Sequence, residues 1–249
     1  MYKIACRLLN VSVLLLAVSH CTAQDAVISS PDKKITVVVE RSGSATGYRV
    51  LREGAEVIHF SKLGLHSMEA DLVTGLVYKS AGPSTLTKGN YRLYTGKQRS
   101  VNYVANRRTI VFNAGNTHQL EVEFHVANDG LAFRYKVHGK GVTGVTGEAT
   151  SFALDTSARA FLQPMQVAKT GFEQTNPAYE DNYLQDLPAG AASPSAAGWV
   201  YPALFRSGSQ WLLFTEAGMD GTYCATHLMN DSARSEYQVV FPDPREVIG

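Results

Sequence analysis

QLEVEFHVANDGLAFRYKV, running from Gln119 to Val137, is written as one β-hairpin. Leu120, Val122, Phe124 and Val126 alternate with Glu121, Glu123, His125 and Ala127, the period of a strand with one buried face. After Asn128-Asp129-Gly130 the alternation restarts, with Leu131, Phe133, Tyr135 and Val137 set against Ala132, Arg134 and Lys136. An Asp-Gly pair suits a tight turn that needs positive φ at both central residues. With Asp129 and Gly130 as the loop, Val126 faces Phe133, Phe124 faces Tyr135, Val122 faces Val137, and Glu123 lies opposite Lys136.

Outward from this hairpin the chain keeps the same style. Lys34–Glu40 is β-branched and reads as a strand. Tyr48–Leu51 and Val57–Phe60 form a hairpin through Arg52-Glu53-Gly54, and Ser100–Val104 and Thr109–Phe112 form another around Ala105-Asn106-Arg107-Arg108. The glycines Gly139, Gly141, Gly144 and Gly147 mark a loop or a weak edge. Further strands are expected at Ser151–Leu154, Ala160–Gln163, Trp199–Phe205, Trp211–Thr215, Ala225–Leu228 and Tyr237–Phe241. No window of a dozen residues has helical periodicity with a cap. Many short strands at close spacing give an all-β fold, a large β-sandwich.

The chain has 249 residues, 45% of them hydrophobic and 18% charged, with a net charge of +1. It can bury a large core, and an all-β domain of this length can be one unit. No Lys/Arg run exceeds two residues, so nothing marks a nucleic-acid binder. Lys3 and Arg7 precede an apolar run from Leu8 to Val18, too short to span a bilayer, and Cys21-Thr22-Ala23 supplies small residues for cleavage. Residues 1–23 therefore read as a secretory signal peptide, with export to a periplasm. Lipoprotein anchoring through Cys21 is the second reading, and bulky His20 before the cysteine speaks against it. Cys6 and Cys21 belong to this leader. Cys224 is left without an intramolecular partner, and packing is its ordinary role.

One segment breaks the strand rhythm. From Lys169 to Ser195 a long loop carries Gly171-Phe172-Glu173, then Tyr179-Glu180-Asp181-Asn182-Tyr183, then a Pro/Ala/Gly/Ser run that reads as flexible. Loops of this length in compact domains are functional or disordered. Carboxylates beside aromatic rings suit calcium, which takes oxygen ligands, or a sugar, whose ring stacks on aromatics. Composition alone equally describes a solvated turn pinned by Tyr179 and Tyr183. Trp199, Tyr201 and Trp211 read as core or as a sugar platform, and Glu216 as a solvated turn carboxylate. The scattered histidines lack metal-ligand spacing. A histidine with a distant glutamate would serve acid–base chemistry on a sugar ring, as in aldose epimerases.

The order of several segments resembles the N-terminal domain of glycoside hydrolase family 97. The pieces are Ser30-Pro31-Asp32-Lys33, Leu63-Gly64-Leu65, Phe124–Tyr135, Tyr179-Glu180 with Tyr183, Trp211–Ala217 and Phe241-Pro242. The resemblance implies a β-super-sandwich of the galactose-mutarotase type over residues 24–241. Residues 242–249 would start a linker to a catalytic (β/α)8 barrel that this chain lacks. It also implies exported glycosidases acting on α-glucosides or α-galactosides, so an α-linked oligosaccharide is the expected carbohydrate partner. Hydrolysis needs two opposed carboxylates, which the family keeps in the barrel, so the chain alone is expected to be inactive. The matching residue for the family's calcium is Glu180, one ligand shared with the barrel. Two rivals remain: a free-standing carbohydrate-binding module and an aldose-epimerase-like enzyme.

Overall fold

The computed structural model describes residues 23–140, 144–167, 180–221, 223–230 and 234–244. The leader up to residue 22, Tyr179 and the Gly171–Glu173 segment lie outside them. The described chain is all β, in four antiparallel sheets.

A seven-stranded sheet has the order β1-β2-β3-β4-β13-β19-β18. Its strands are β1 (Ala23–Ser29), β2 (Ile35–Ser42), β3 (Ala45–Arg52), β4 (Ala55–Lys62), β13 (Ser151–Ala153), β19 (Glu236–Val240) and β18 (His227–Asn230). A five-stranded sheet holds β11 (Leu131–His138), β10 (His118–Ala127), β9 (Ser100–Ala114) and β7 (Val77–Ala81), with β8 (Thr85–Arg92) paired to the far part of β9. Three short strands, β12 (Val145–Glu148), β5 (Leu65–Ser67) and β6 (Asp71–Leu72), make a small third sheet. The fourth has the order β15-β14-β16-β17, from Leu184–Pro188, Arg159–Leu162, Ala203–Ser207 and Gln210–Phe214.

The alternation seen in the sequence builds the core. Leu120, Val122, Phe124 and Val126 are all fully buried. With Ile110 and Phe112 they join Ile28, Val37, Val39, Tyr48 and Val50 of the long sheet in one core. The Tyr48 ring lies 6.2 Å from Phe124 and 5.4 Å from Phe133, which closes the two sheets on each other. At the other half of the long sheet, Phe152 stacks on Phe214 at 4.4 Å and Tyr237 meets Phe205 at 4.8 Å. The seven-stranded sheet thus backs both the five-stranded and the four-stranded sheet. This is the large all-β sandwich that the pattern implies.

Three local expectations are corrected. In the central hairpin Phe124 pairs with Phe133, Val122 with Tyr135 and Glu123 with Arg134. The Ala127 N–H donates to Gly130 O at 2.8 Å, so the loop is Asn128-Asp129. None of Asn128, Asp129 or Gly130 has positive φ. Asn128 instead turns its side-chain oxygen to the Asp32 N–H at 3.0 Å, tying the loop to the β1–β2 turn. The shift is two residues, an even number, so every inward residue stays inward. The mirror-type turn sits at Glu53-Gly54, with φ of 51° and 85° between the paired Arg52 and Ala55.

Second, Ala105–Arg108 is no turn, because β9 runs straight through it. Its polar side chains have distant partners: Asn106 donates to Ser29 O at 2.8 Å, and Arg108 donates to Gly82 O and Val27 O at 2.8 and 2.6 Å. Third, Pro188–Ser195, expected to be flexible, starts at the last residue of β15 and is pinned. Asn230 donates to Gly190 O and Ala191 O at 3.0 and 2.9 Å, and Tyr237 accepts from the Gly190 N–H at 3.1 Å.

Candidate functional site

Glu180 enters just ahead of β15, the edge strand of the four-stranded sheet. It is exposed, and no described residue bonds its carboxylate. Its neighbour Asp181 is engaged, accepting from Gln166 Nε2 at 2.7 Å and from the Asn182 N–H at 2.6 Å. Tyr183 donates its hydroxyl to Pro202 O at 3.4 Å and so tethers the loop to the strand entering β16. The two adjacent acids therefore differ: Asp181 has a structural partner and Glu180 is presented outward. Calcium needs six to eight oxygens. Among the described residues no group of three His, Cys, Asp or Glu could hold a metal. The described residues therefore do not by themselves complete a calcium site around Glu180.

The sheet that begins beside Glu180 has an unusual outer face. Trp211 and Leu213 are 55% and 60% exposed, while Leu212 and Phe214 of the same strand turn toward the core. Phe161, Leu204 and Leu213 stand in register across β14, β16 and β17. The Phe161 ring lies 5.4 Å from Trp211. A charged rim borders them. Asp186 contacts Arg159 at 3.1 Å and Arg206 at 3.5 Å, and Arg206 lies 5.8 Å over the Trp211 ring. The alternation of Trp211–Phe214 was legible as a strand. That its Trp and Leu lie on the solvent side was not, because both faces are apolar. Trp199 by contrast is fully buried, its Nε1 donating to Asn230 at 2.9 Å.

A second cluster joins Glu148, Glu216 and three tyrosines. Glu148 accepts from the Tyr223 hydroxyl at 2.8 Å and from Thr150 at 2.6 Å; Tyr135 in turn donates to Thr150 at 2.7 Å. Glu216, expected as a solvated turn residue, accepts from the Thr226 N–H at 3.2 and 3.1 Å and from its hydroxyl. It clamps the loop between β17 and β18, a partner ten positions away that no local pattern announces. Burial pushes the Tyr135, Tyr201 and Tyr223 hydroxyls far up, so they stay neutral donors. Burial also raises the Cys224 thiol, which suits packing better than nucleophilic chemistry.

Two histidine–glutamate pairs lie on the outer face of the five-stranded sheet, His138 with Glu121 at 3.0 Å and His125 with Glu123. His125 Nε2 lies 3.3 Å from Glu123, and its Nδ1 is 3.0 Å from the Tyr103 hydroxyl. Burial alone would raise the Glu123 carboxyl, but hydrogen bonds from Arg134 and His125 and the charges of Arg134 and Lys136 outweigh it. They hold the group at about 2. A carboxylate kept ionised so firmly has no proton to exchange near neutrality. Two shallow cavities, of about 460 and 490 Å³, lie at residues 113–119 with 138–139 and at residues 65–74. Neither includes Glu180.

Against known proteins, the family model described as Glycosyl-hydrolase 97 N-terminal matches residues 28–248. No curated protein matches. Among solved structures, a beta-arabinopyranosidase is 30% identical, with a TM-score of 0.83, covering 88% of this chain and 36% of its own. A glycoside hydrolase family 97 enzyme from Pseudoalteromonas sp. strain K8, in complex with panose, is 22% identical with a TM-score of 0.73, covering 87% of this chain and 32% of its own. The same enzyme with acarbose gives the same values. The chain spans about a third of the length of these enzymes. With its sandwich and its matched span of 221 residues from 28 to 248, the chain belongs to the N-terminal domain family of glycoside hydrolase family 97.

Proposed function

We propose that this chain is the N-terminal β-sandwich of an exported, calcium-dependent glycosidase acting on α-glucosides or α-galactosides. It packs on a catalytic (β/α)8 barrel, borders the sugar pocket and gives Glu180 to the metal. The observation that supports the reading is the exposed apolar face of Phe161, Leu204, Trp211 and Leu213, on the sheet whose edge strand β15 follows the exposed Glu180. Exposed apolar faces of this kind mark partner surfaces. A barrel seated there would have the Arg159–Asp186–Arg206 rim as a polar border. The named sugars of the neighbours, a β-arabinopyranoside in one and panose or acarbose in the other, support a glycoside as substrate.

The test compares two adjacent acids in the protein that includes the barrel. Glu180→Gln is expected to weaken calcium binding and activity by at least about tenfold, with partial rescue by excess calcium. That corresponds to about 1.4 kcal/mol of lost coordination. Asp181→Asn, whose carboxylate serves Gln166, is expected to do much less. Equal effects of the two in a calcium titration would show the wrong carboxylate assigned.

A further inference from the structure

The five-stranded sheet carries an arm whose outer end its own fold leaves exposed. Strand β10 pairs with β9 only as far as Ala105, whereas β8 and β9 continue together from Val104 to Ser100. At about 3.3 Å per residue this two-stranded part reaches roughly 16 Å beyond the sheet. A seven-residue loop, Leu93–Arg99, closes it, with the Leu93 N–H bonded to Arg99 O at 2.8 Å. Every residue from Lys88 to Ser100 is exposed. An isolated two-stranded ribbon is marginal in water; Tyr103 holds the base of this one against His125, and the end from Lys88 to Ser100 is left to meet something.

Its chemistry says what. From Leu72 to Leu120 the chain has no Asp or Glu, but carries Lys79, Lys88, Arg92, Lys97, Arg99, Arg107 and Arg108. Of these, Lys88, Arg92, Lys97 and Arg99 lie on the arm, and among the described residues none of the four has an ion-pair partner. Large apolar side chains crowd the same end: Tyr94 is completely exposed, Tyr91 54% and Leu93 41%. Strand alternation puts Tyr91 on one face of the ribbon and Lys88 and Arg92 on the other. A linear polyanion lying along either face would meet rings or charges, not both. A plane approached end-on meets Leu93, Tyr94, Arg92, Lys97 and Arg99 together. An anionic bilayer is such a plane: tyrosine and leucine enter the headgroup layer while cations sit at the phosphates.

We infer that the tip of the β8–β9 arm is a docking site for an anionic membrane surface, a peripheral contact with no span. It is independent of the glycosidase reading and of Glu180. The test is co-sedimentation of the full chain with phosphatidylcholine vesicles, with and without about 30% phosphatidylglycerol. Binding is expected only with the anionic lipid and should fall as salt rises. Lys97→Ala with Arg99→Ala removes two cations worth about 1 kcal/mol each, so binding should drop roughly 30-fold. Tyr94→Ser, at a fully exposed position, should weaken it as well, with both variants keeping the parent's melting temperature. Unchanged binding in these variants, or equal binding to neutral vesicles, overturns the inference. It is also overturned if the parent ignores anionic vesicles yet binds a soluble acidic polysaccharide, or dimerises through the arm.

Discussion

Replacing Glu123 by glutamine removes the one nearly buried carboxylate of the central hairpin and tests how its charge network holds that hairpin. Glu123 is 2% exposed and is faced by Arg134 at 2.7 Å and Lys136 at 3.4 Å from β11, Arg107 at 3.8 Å from β9 and His125 on its own strand. Its carboxyl is held at about 2 against an ordinary value of 4.5. A carboxyl depressed on folding adds stability above its unfolded pKa and loses it as pH falls through the folded one. The contribution is therefore complete above about pH 5 and fades between about pH 4.5 and 2. A shift of this size has a ceiling of about 3 kcal/mol. The three cations are 66%, 41% and 49% exposed, so solvent screening brings the expected value to about 2 kcal/mol. Urea unfolding of parent and Glu123→Gln at neutral pH should differ by that amount. At about pH 3 the difference should shrink to less than half, because the parent has begun to lose the same interaction. A difference that is absent at neutral pH, or that grows on acidification, would refute the reasoning.

Two further outcomes follow from the framework. Gly198 has φ of +82°, and a Cβ there would lie 2.2 Å from Leu228 O, the acceptor of the Trp199 N–H, so Gly198→Ala should cost about 2–3 kcal/mol in urea unfolding; a neutral effect would mean that the Trp199–Leu228 bridge is not tight. Leu213→Glu, on the exposed apolar face, should leave the melting temperature of the isolated chain within about 2 °C and reduce its self-association at high concentration. Aggregation unchanged by this substitution would locate the sticky surface elsewhere.

The strands of Gln119–Val137 were legible because alternation acts over neighbours, and a register slip of two left every face correct. The loop was misread because Asn128 answers to Asp32, which lies far off in sequence. The same reason hid the continuity of β9 through Arg107-Arg108 and the order of residues 188–195. In each case long-range acceptors and donors, not local turn chemistry, satisfy the backbone. At the candidate site, Glu180 was singled out by family pattern, and the structure places it exposed ahead of β15. The distinction from Asp181 needed Gln166, fifteen residues away. The apolar outer face was not legible, since a strand apolar on both faces reads the same whether its outer side is core or docking surface.

The most direct test of the account is hydrolysis of nitrophenyl α-glucoside, α-galactoside and β-arabinopyranoside by this chain alone and by the same chain joined to a family 97 catalytic barrel. The account predicts no release by the chain alone, with or without calcium, and calcium-dependent release from at least one substrate by the joined protein. Calcium-dependent release by the chain alone would contradict it, since it would put the two opposed carboxylates that hydrolysis needs within this sandwich.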